Sequence, residues 1–187
     1  MNFSPAKRGY LRMLSSLFRR SANRPVLDRL HGEIIAAARE PALYADYGVP
    51  DTFEGRFEAM TLHATLVLRR LNVMAAPAPD LAQDLADAIF AHLDATLREM
   101  GVGDAAVPKR MKTLAEAFLG RGVAYDQALR ADASALLAAL ARNVYADRAD
   151  AARLARYVKA ASAALEEAPF EAFAKGPVPF PKPAAII

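Results

Sequence analysis

The chain has 187 residues, no cysteine and no tryptophan, with 24 basic against 21 acidic residues. A chain of this length sustains a hydrophobic core without disulfides or metal, and the missing thiols exclude cysteine nucleophiles, Cys-based zinc sites and disulfide frameworks. No run approaches the roughly 18 apolar residues of a membrane span, and the N-terminus lacks the uninterrupted apolar core of a secretory signal, so a soluble protein is expected.

The charge is unevenly placed. Lys7, Arg8, Arg12, Arg19, Arg20 and Arg24 fall within residues 1–24, which contain no acid, leaving 18 bases against 21 acids in the rest, a net of −3. Such an end reads as an arm, residues 1–24, that meets an anionic surface. Residues 9–20 predict a short amphipathic helix, with Tyr10, Leu14, Leu17 and Phe18 on one side and Arg8, Arg12 and Arg19 on the other. Three readings stay open: a helix packed on the body, one docked on anionic lipid or ribosomal RNA, or an Arg- and Ser-containing transit-like segment.

Pro25 suits the first position of a second helix, with Asn23 or Arg24 near its cap. Val26, Leu27, Leu30, Ile34, Ile35 and Ala38 form its inward face and Pro41 ends it. Residues 42–47 predict one or two helical turns before a Gly48–Pro50 corner. The strongest periodicity follows, over 51–73. Phe53, Phe57, Met60, Ala64, Val67, Leu71 and Met74 recur at steps of four and three, one face of a helix. Glu54, Glu58, Thr61, Thr65, Arg69 and Asn72 share the opposite arc and are expected to face water. Asp51 is the expected cap, with Glu54 completing a capping box. A second apolar line, Ala59, Leu62 and Leu66, makes this the central helix, packed against at least two neighbours.

A stiff connector over 75–79 leads to a third long helix, capped by Asp80 and running through Met100, with Leu85, Ile89, Leu93 and Leu97 in one row and Gly101 closing it. A further helix begins near Pro108 and loosens at Gly120 and Gly122, with a short turn over 124–129. Two Ala- and Leu-rich helices follow, about 133–145 and 147–167. No stretch alternates like a strand. The expectation is an all-α, single-domain bundle of about seven helices spanning 25–174. The tail, 175–187, holds four prolines that force an extended course; it is either a frayed terminus or an apolar strap in a groove on its own body or a partner.

Catalytic signals are absent. His31, His63 and His92 lack metal spacing, and no H-E-x-x-H, G-x-S-x-G or phosphate-loop motif occurs, so no enzyme activity, catalytic residue, metal or cofactor is expected. Gly101-Val102-Gly103 follows a helix rather than a strand and does not open a dinucleotide loop. Lys109 and Arg110 suit either a phosphate contact or a solvated loop. His63 reads as a half-buried, hydrogen-bonded histidine, the alternative of a haem or metal ligand lacking a partner four residues away.

Particular residues add more. Tyr44, Tyr47-Gly48, Pro50-Asp51-Thr52-Phe53, Phe57 and Leu62-His63 resemble the signature of the ubiquinol–cytochrome c chaperone family. A second block is similar to the form in α-proteobacterial members: Gly101 to Asp104, Val107-Pro108-Lys109-Arg110-Met111-Lys112, Ala115 to Phe118 and Gly120-Arg121. Mitochondrial relatives carry bulky aromatics where this chain has Ala64-Thr65. The resemblance spans roughly 35–140. It implies a non-catalytic assembly factor for the cytochrome bc1 complex (respiratory complex III), one that holds newly made cytochrome b or another hydrophobic membrane-protein client in an apolar groove. A small partner chaperone and the ribosome are implied neighbours, and the implied location is cytoplasmic and peripheral to the inner membrane, or the mitochondrial matrix in a eukaryote. Candidate client or partner contacts are Tyr44, Tyr47, Phe53, Phe57, His63, Lys109, Arg110 and Lys112, the aromatic ones being either core or groove lining. Candidate membrane or ribosome contacts are Arg8, Arg12, Arg19 and Arg20. The competing reading is a small helical nucleic-acid-binding or regulatory protein that uses its basic arm.

Overall fold

The computed structural model describes residues 23–186. The helix expected over 9–20, with Arg8, Arg12, Arg19 and Arg20, lies outside the described residues. Within them the chain forms α1 over 23–38, α2 (Pro41–Ala45), α3 (Phe53–Val73), α4 (Ala78–Glu99), α5 (Val107–Arg130), α6 (Ala133–Tyr145), α7 (Ala152–Glu167) and α8 (Phe170–Lys175), then an extended run ending in a 3-10 turn (Pro183–Ala185). No strand occurs among the described residues, as an all-α bundle requires.

Helix α3 is the axis, packed by α4, α5, α6 and α7. Every residue from Phe57 to Val67 is buried. The expectation that Glu58, Thr61 and Thr65 face water is therefore wrong: α5 lies over that arc, and Arg121 of α5 meets Glu58. Glu54 and Asn72, nearer the two ends of the helix, are exposed as expected. A helix covered on every side needs its polar residues small or paired, and here they are two threonines, one ion-paired glutamate and His63.

The start of α3 also differs from expectation. Thr52, not Asp51, is the N-cap: its backbone is extended and its hydroxyl accepts from the Gly55 N–H at 3.2 Å. Asp51 instead accepts from Arg56 Nε at 2.6 Å. Gly55 permits this turn, because a Cβ there would lie 1.9 Å from the Pro50 carbonyl oxygen. Gly55→Ala is expected to lower stability by about 2–3 kcal/mol, the upper part of the range for forced overpacking. Urea unfolding reads this directly, and an unchanged midpoint would mean the turn moves aside without cost.

Other boundaries shift for local reasons. Asn23 and Arg24 are already helical, with Pro25 among the helical residues. Pro41 opens α2 rather than ending α1; it holds Glu40 extended, with φ −56° and ψ 122°. Helix α4 starts at Ala78, so Asp80 sits in its first turn instead of capping it. Helix α5 runs unbroken through Gly120 and Gly122, since packing on α3 outweighs the roughly 1 kcal/mol helix penalty of each glycine. Helix α7 begins at Ala152 rather than 147, because Ala146 and Asp147 adopt positive φ of 48° and 57°.

The tail is a strap on its own body. The Val178 N–H donates to Glu33 Oε2 at 2.6 Å, Lys182 pairs with Glu40 at 2.5 Å, and the Tyr47 hydroxyl reaches the Pro183 carbonyl at 2.7 Å. Phe180 stands edge-on to His63, 5.2 Å between ring centres. Arg29 completes the anchorage by donating to the Phe173 carbonyl and pairing with Glu33 at 2.6 Å.

A cleft at the head of the central helix

Four elements converge where α3 begins. The C-terminal end of α1 contributes Ile35, Ala38 and Arg39, α2 contributes Tyr44, the α3 start contributes Asp51, Thr52, Phe53, Arg56, Phe57 and Met60, and the end of α4 contributes His92, Leu93, Thr96 and Met100. They enclose a cleft of about 370 Å³, within the usual range for ligand sites of roughly 300–1,000 Å³. Its floor is buried and apolar: Ala38, Phe57, Met60 and Leu93. Its walls, Ile35, Tyr44 and Phe53, are half-buried, and Met100 at the lip is 55% exposed.

The rim is charged. Arg39, Asp51 and Arg56 are exposed. The hydrogen bond from Arg56 holds the Asp51 carboxyl below the usual carboxylate range. The Tyr44 hydroxyl donates to the Ala38 carbonyl at 2.7 Å, closing one of the open acceptors at the end of α1. Burial raises the Tyr44 phenol, against the pull of Arg56 and Arg39. Behind the cleft the His31 and His92 rings meet edge-on at 4.7 Å, and burial, then the neighbouring His92, push His31 down.

Of the residues singled out in the sequence, Tyr44, Phe53 and Phe57 come together in this cleft. Tyr47 does not: it is buried under the strap, with Arg153 stacked 4.5 Å over its ring. His63 has no exposed surface, which corrects its placing among partner contacts: α6, α7 and the strap enclose a position that the helical period put at the edge of the apolar arc. Its Nδ1 faces the Ala59 carbonyl at 2.7 Å and its Nε2 the Tyr157 hydroxyl at 2.8 Å. A carbonyl only accepts, so the proton sits on Nδ1 and Tyr157 donates to Nε2. Burial pulls the imidazole down to about 4, so it is neutral near pH 7. Lys109, Arg110 and Lys112 lie exposed on the first turns of α5, outside the cleft, and Lys112 is 3.8 Å from Glu116.

Sequence reading missed Arg39, Met60, Leu93 and Met100 as lining residues. A signal existed for the last two: Leu93, Leu97 and Met100 continue the apolar row of α4 to its final turn. A second, shallower cleft of about 330 Å³ lies between α3 and α5, with Leu68, Val73, Phe118, Leu119 and Val123.

The aromatic side chains that wall the cleft, Tyr44, Phe53 and Phe57, belong to the first signature block. The ubiquinol–cytochrome c chaperone model matches residues 45–180. The chain belongs to the ubiquinol–cytochrome c chaperone family. A crystal structure of the Cbp3 homolog from Brucella abortus is 41% identical, with a TM-score of 0.81, and the match covers 93% of this chain and 99% of that one. No curated protein sequence matches the chain. The chaperone has no helix, among its described residues, long and apolar enough to cross a membrane, and none of those residues form a cluster of three or more histidine or acidic groups able to hold a metal ion.

Proposed function

We propose that the chaperone shelters an apolar segment of newly made cytochrome b in the cleft at the head of α3 until the segment is buried in the cytochrome bc1 complex. The observation that carries this is the cleft itself, an open space of about 370 Å³ walled by Tyr44, Phe53 and Phe57. An amphipathic or apolar helix lays two or three side chains into such a groove, and shielding them from water stabilises the bound state in proportion to the apolar area covered. Release requires no nucleotide and no bond chemistry, because burial in the finished complex removes the same surface from water more completely. The role is thus binding without catalysis.

The remaining parts fit around that core. Residues 1–24 serve as a basic tether toward anionic lipid or the ribosome, through Arg8, Arg12, Arg19 and Arg20, and keep the chaperone cytoplasmic but peripheral to the inner membrane. Residues 25–174 form the client-binding body, with 175–186 strapped along it. Lys109, Arg110 and Lys112 offer a second cationic corner to a partner subunit.

A photo-crosslinking side chain at Phe53, compared with one at exposed Glu171, tests the proposal in cells. Cytochrome b captured from position 53 and not from 171, together with a fall in assembled bc1 when the gene is deleted, is the expected pair of results. Equal capture from both positions, or normal bc1 after deletion, would overturn it.

A further inference from the structure

We infer that the segment held in this cleft carries a carboxylate within about one helical turn of its apolar anchors. The inference rests on the proposed reading of the cleft as a client site and adds the charge the client must bring. The rim presents two guanidinium groups and one carboxylate. Arg39 is exposed and makes no ion pair among the described residues. Arg56 gives its Nε to Asp51 at 2.6 Å, and no other hydrogen bond from its side chain to a described residue is present.

Backbone polarity at the mouth is mixed, so the sign rests on the two guanidinium groups against one carboxylate. The cleft opens at the N-terminus of α3, 21 residues long, where Thr52 satisfies the Gly55 N–H and the aligned peptide dipoles leave partial positive charge. Two helix C-termini oppose it: that of α1, whose Ala38 carbonyl is occupied by Tyr44, and that of α4, whose Thr96 carbonyl accepts from the Met100 N–H. An anion at the mouth therefore meets two guanidinium groups against one carboxylate, while a lysine or arginine there would face both arginines and find only Asp51, already engaged by Arg56, as a charged partner. The same argument disfavours the chain's own residues 1–24 as occupant, since that segment has six basic residues and no acid. A carboxylate next to apolar anchors fits both halves of the cleft.

The test uses the full-length chaperone and three labelled 20-residue Leu/Ala-rich helical peptides that differ at one position, one turn from a pair of leucine anchors: Glu, Gln or Lys. Fluorescence anisotropy at low salt is expected to rank Glu tighter than Gln by about fivefold and Lys weakest, the scale of a partly exposed ion pair. The gap should narrow with added salt, and the double substitution Arg39→Gln and Arg56→Gln should bring the Glu/Gln ratio near one. Equal binding of Glu and Gln peptides by the unmodified chaperone, or a preference for Lys, would overturn the inference while leaving an apolar client site in place. Decanoate binding more tightly than any peptide would overturn it in favour of a lipid-like ligand. If no peptide binds, or if Phe53→Asp binds all three as well as the unmodified protein does, the client reading of the cleft itself is wrong.

Discussion

Arg121→Ala is expected to lower the stability of the chaperone by about 3 kcal/mol, the cost of leaving a buried carboxylate without its partner. Arg121 Nε lies 2.7 and 2.8 Å from the two Glu58 oxygens, and Nη2 is 2.6 Å from Oε1. The Glu58 side chain is 7% exposed and Arg121 is 29% exposed, so water replaces little of what the guanidinium supplies. Burial already raises the Glu58 carboxyl above its ordinary range, outweighing the pull of Arg121. Without the arginine it rises further, and protonation then relieves the penalty. A group whose folded pKa is raised contributes stability at low pH and loses it as pH rises through that pKa. The deficit of Arg121→Ala relative to the unmodified protein should therefore be largest at pH 7 and shrink toward pH 5. The pair Glu58→Leu with Arg121→Met should recover all but about 1 kcal/mol, since an apolar replacement removes both charges together. Urea midpoints at the two pH values decide the matter. A deficit independent of pH, or a double variant as weak as the single one, would sink the assignment.

The second large effect belongs to His63. Its folded pKa of about 4 lies below the ordinary 6.5, with desolvation as the leading cause. A depressed group contributes stability that is present above the unfolded pKa and lost as pH falls through the folded one. On that account, His63 should remove on the order of 3 kcal/mol between about pH 6.5 and pH 4. Carboxylates titrate in the same window, so the comparison is with His63→Gln, which is less stable at pH 7 but lacks this slope. The difference between the two proteins should close as pH falls. Parallel profiles from pH 7 to 4.5 would show that His63 does not govern the acid limb.

Both effects arise on α3, where sequence reading was right about the helix and wrong about its surroundings. The steps of four and three from Phe53 to Met74 mark the apolar line because each turn returns a side chain to the same face. The same pattern cannot say how many neighbours the helix has. Glu58, Thr61 and Thr65 look like a wetted arc in the sequence, yet α5 covers them, and the partner that makes Glu58 tolerable lies 63 residues away. His63 looked half-buried for the same reason, its second partner, Tyr157, being 94 residues distant. The glycines of α5 were read as a weak point from local propensity, which tertiary contact overrode.

The candidate site was legible in part. Tyr44, Phe53 and Phe57 were marked by their resemblance to a family signature, and they do share a cleft. Arg39 and Arg56, which give the mouth its sign, stand in ordinary helical contexts that a single sequence does not distinguish from solvated surface. Tyr47 belongs to the same signature but faces the other way, because the α2–α3 turn puts it beneath the strap.

By itself, then, the order of residues determined the helices of the body, the gathering of six bases and no acid into residues 1–24, and the extended course of the proline-rich end, since period, charge and proline geometry act over a few residues. That α3 is dry on every side was decided only by how α4, α5, α6 and α7 close around it, and where the tail lies and a cleft remains open by how α1 and α2 pack beside them. Those outcomes depend on pairs far apart in the chain, Glu58 with Arg121 and Tyr47 with Pro183 among them, whose meeting depends on packing and not on any local preference.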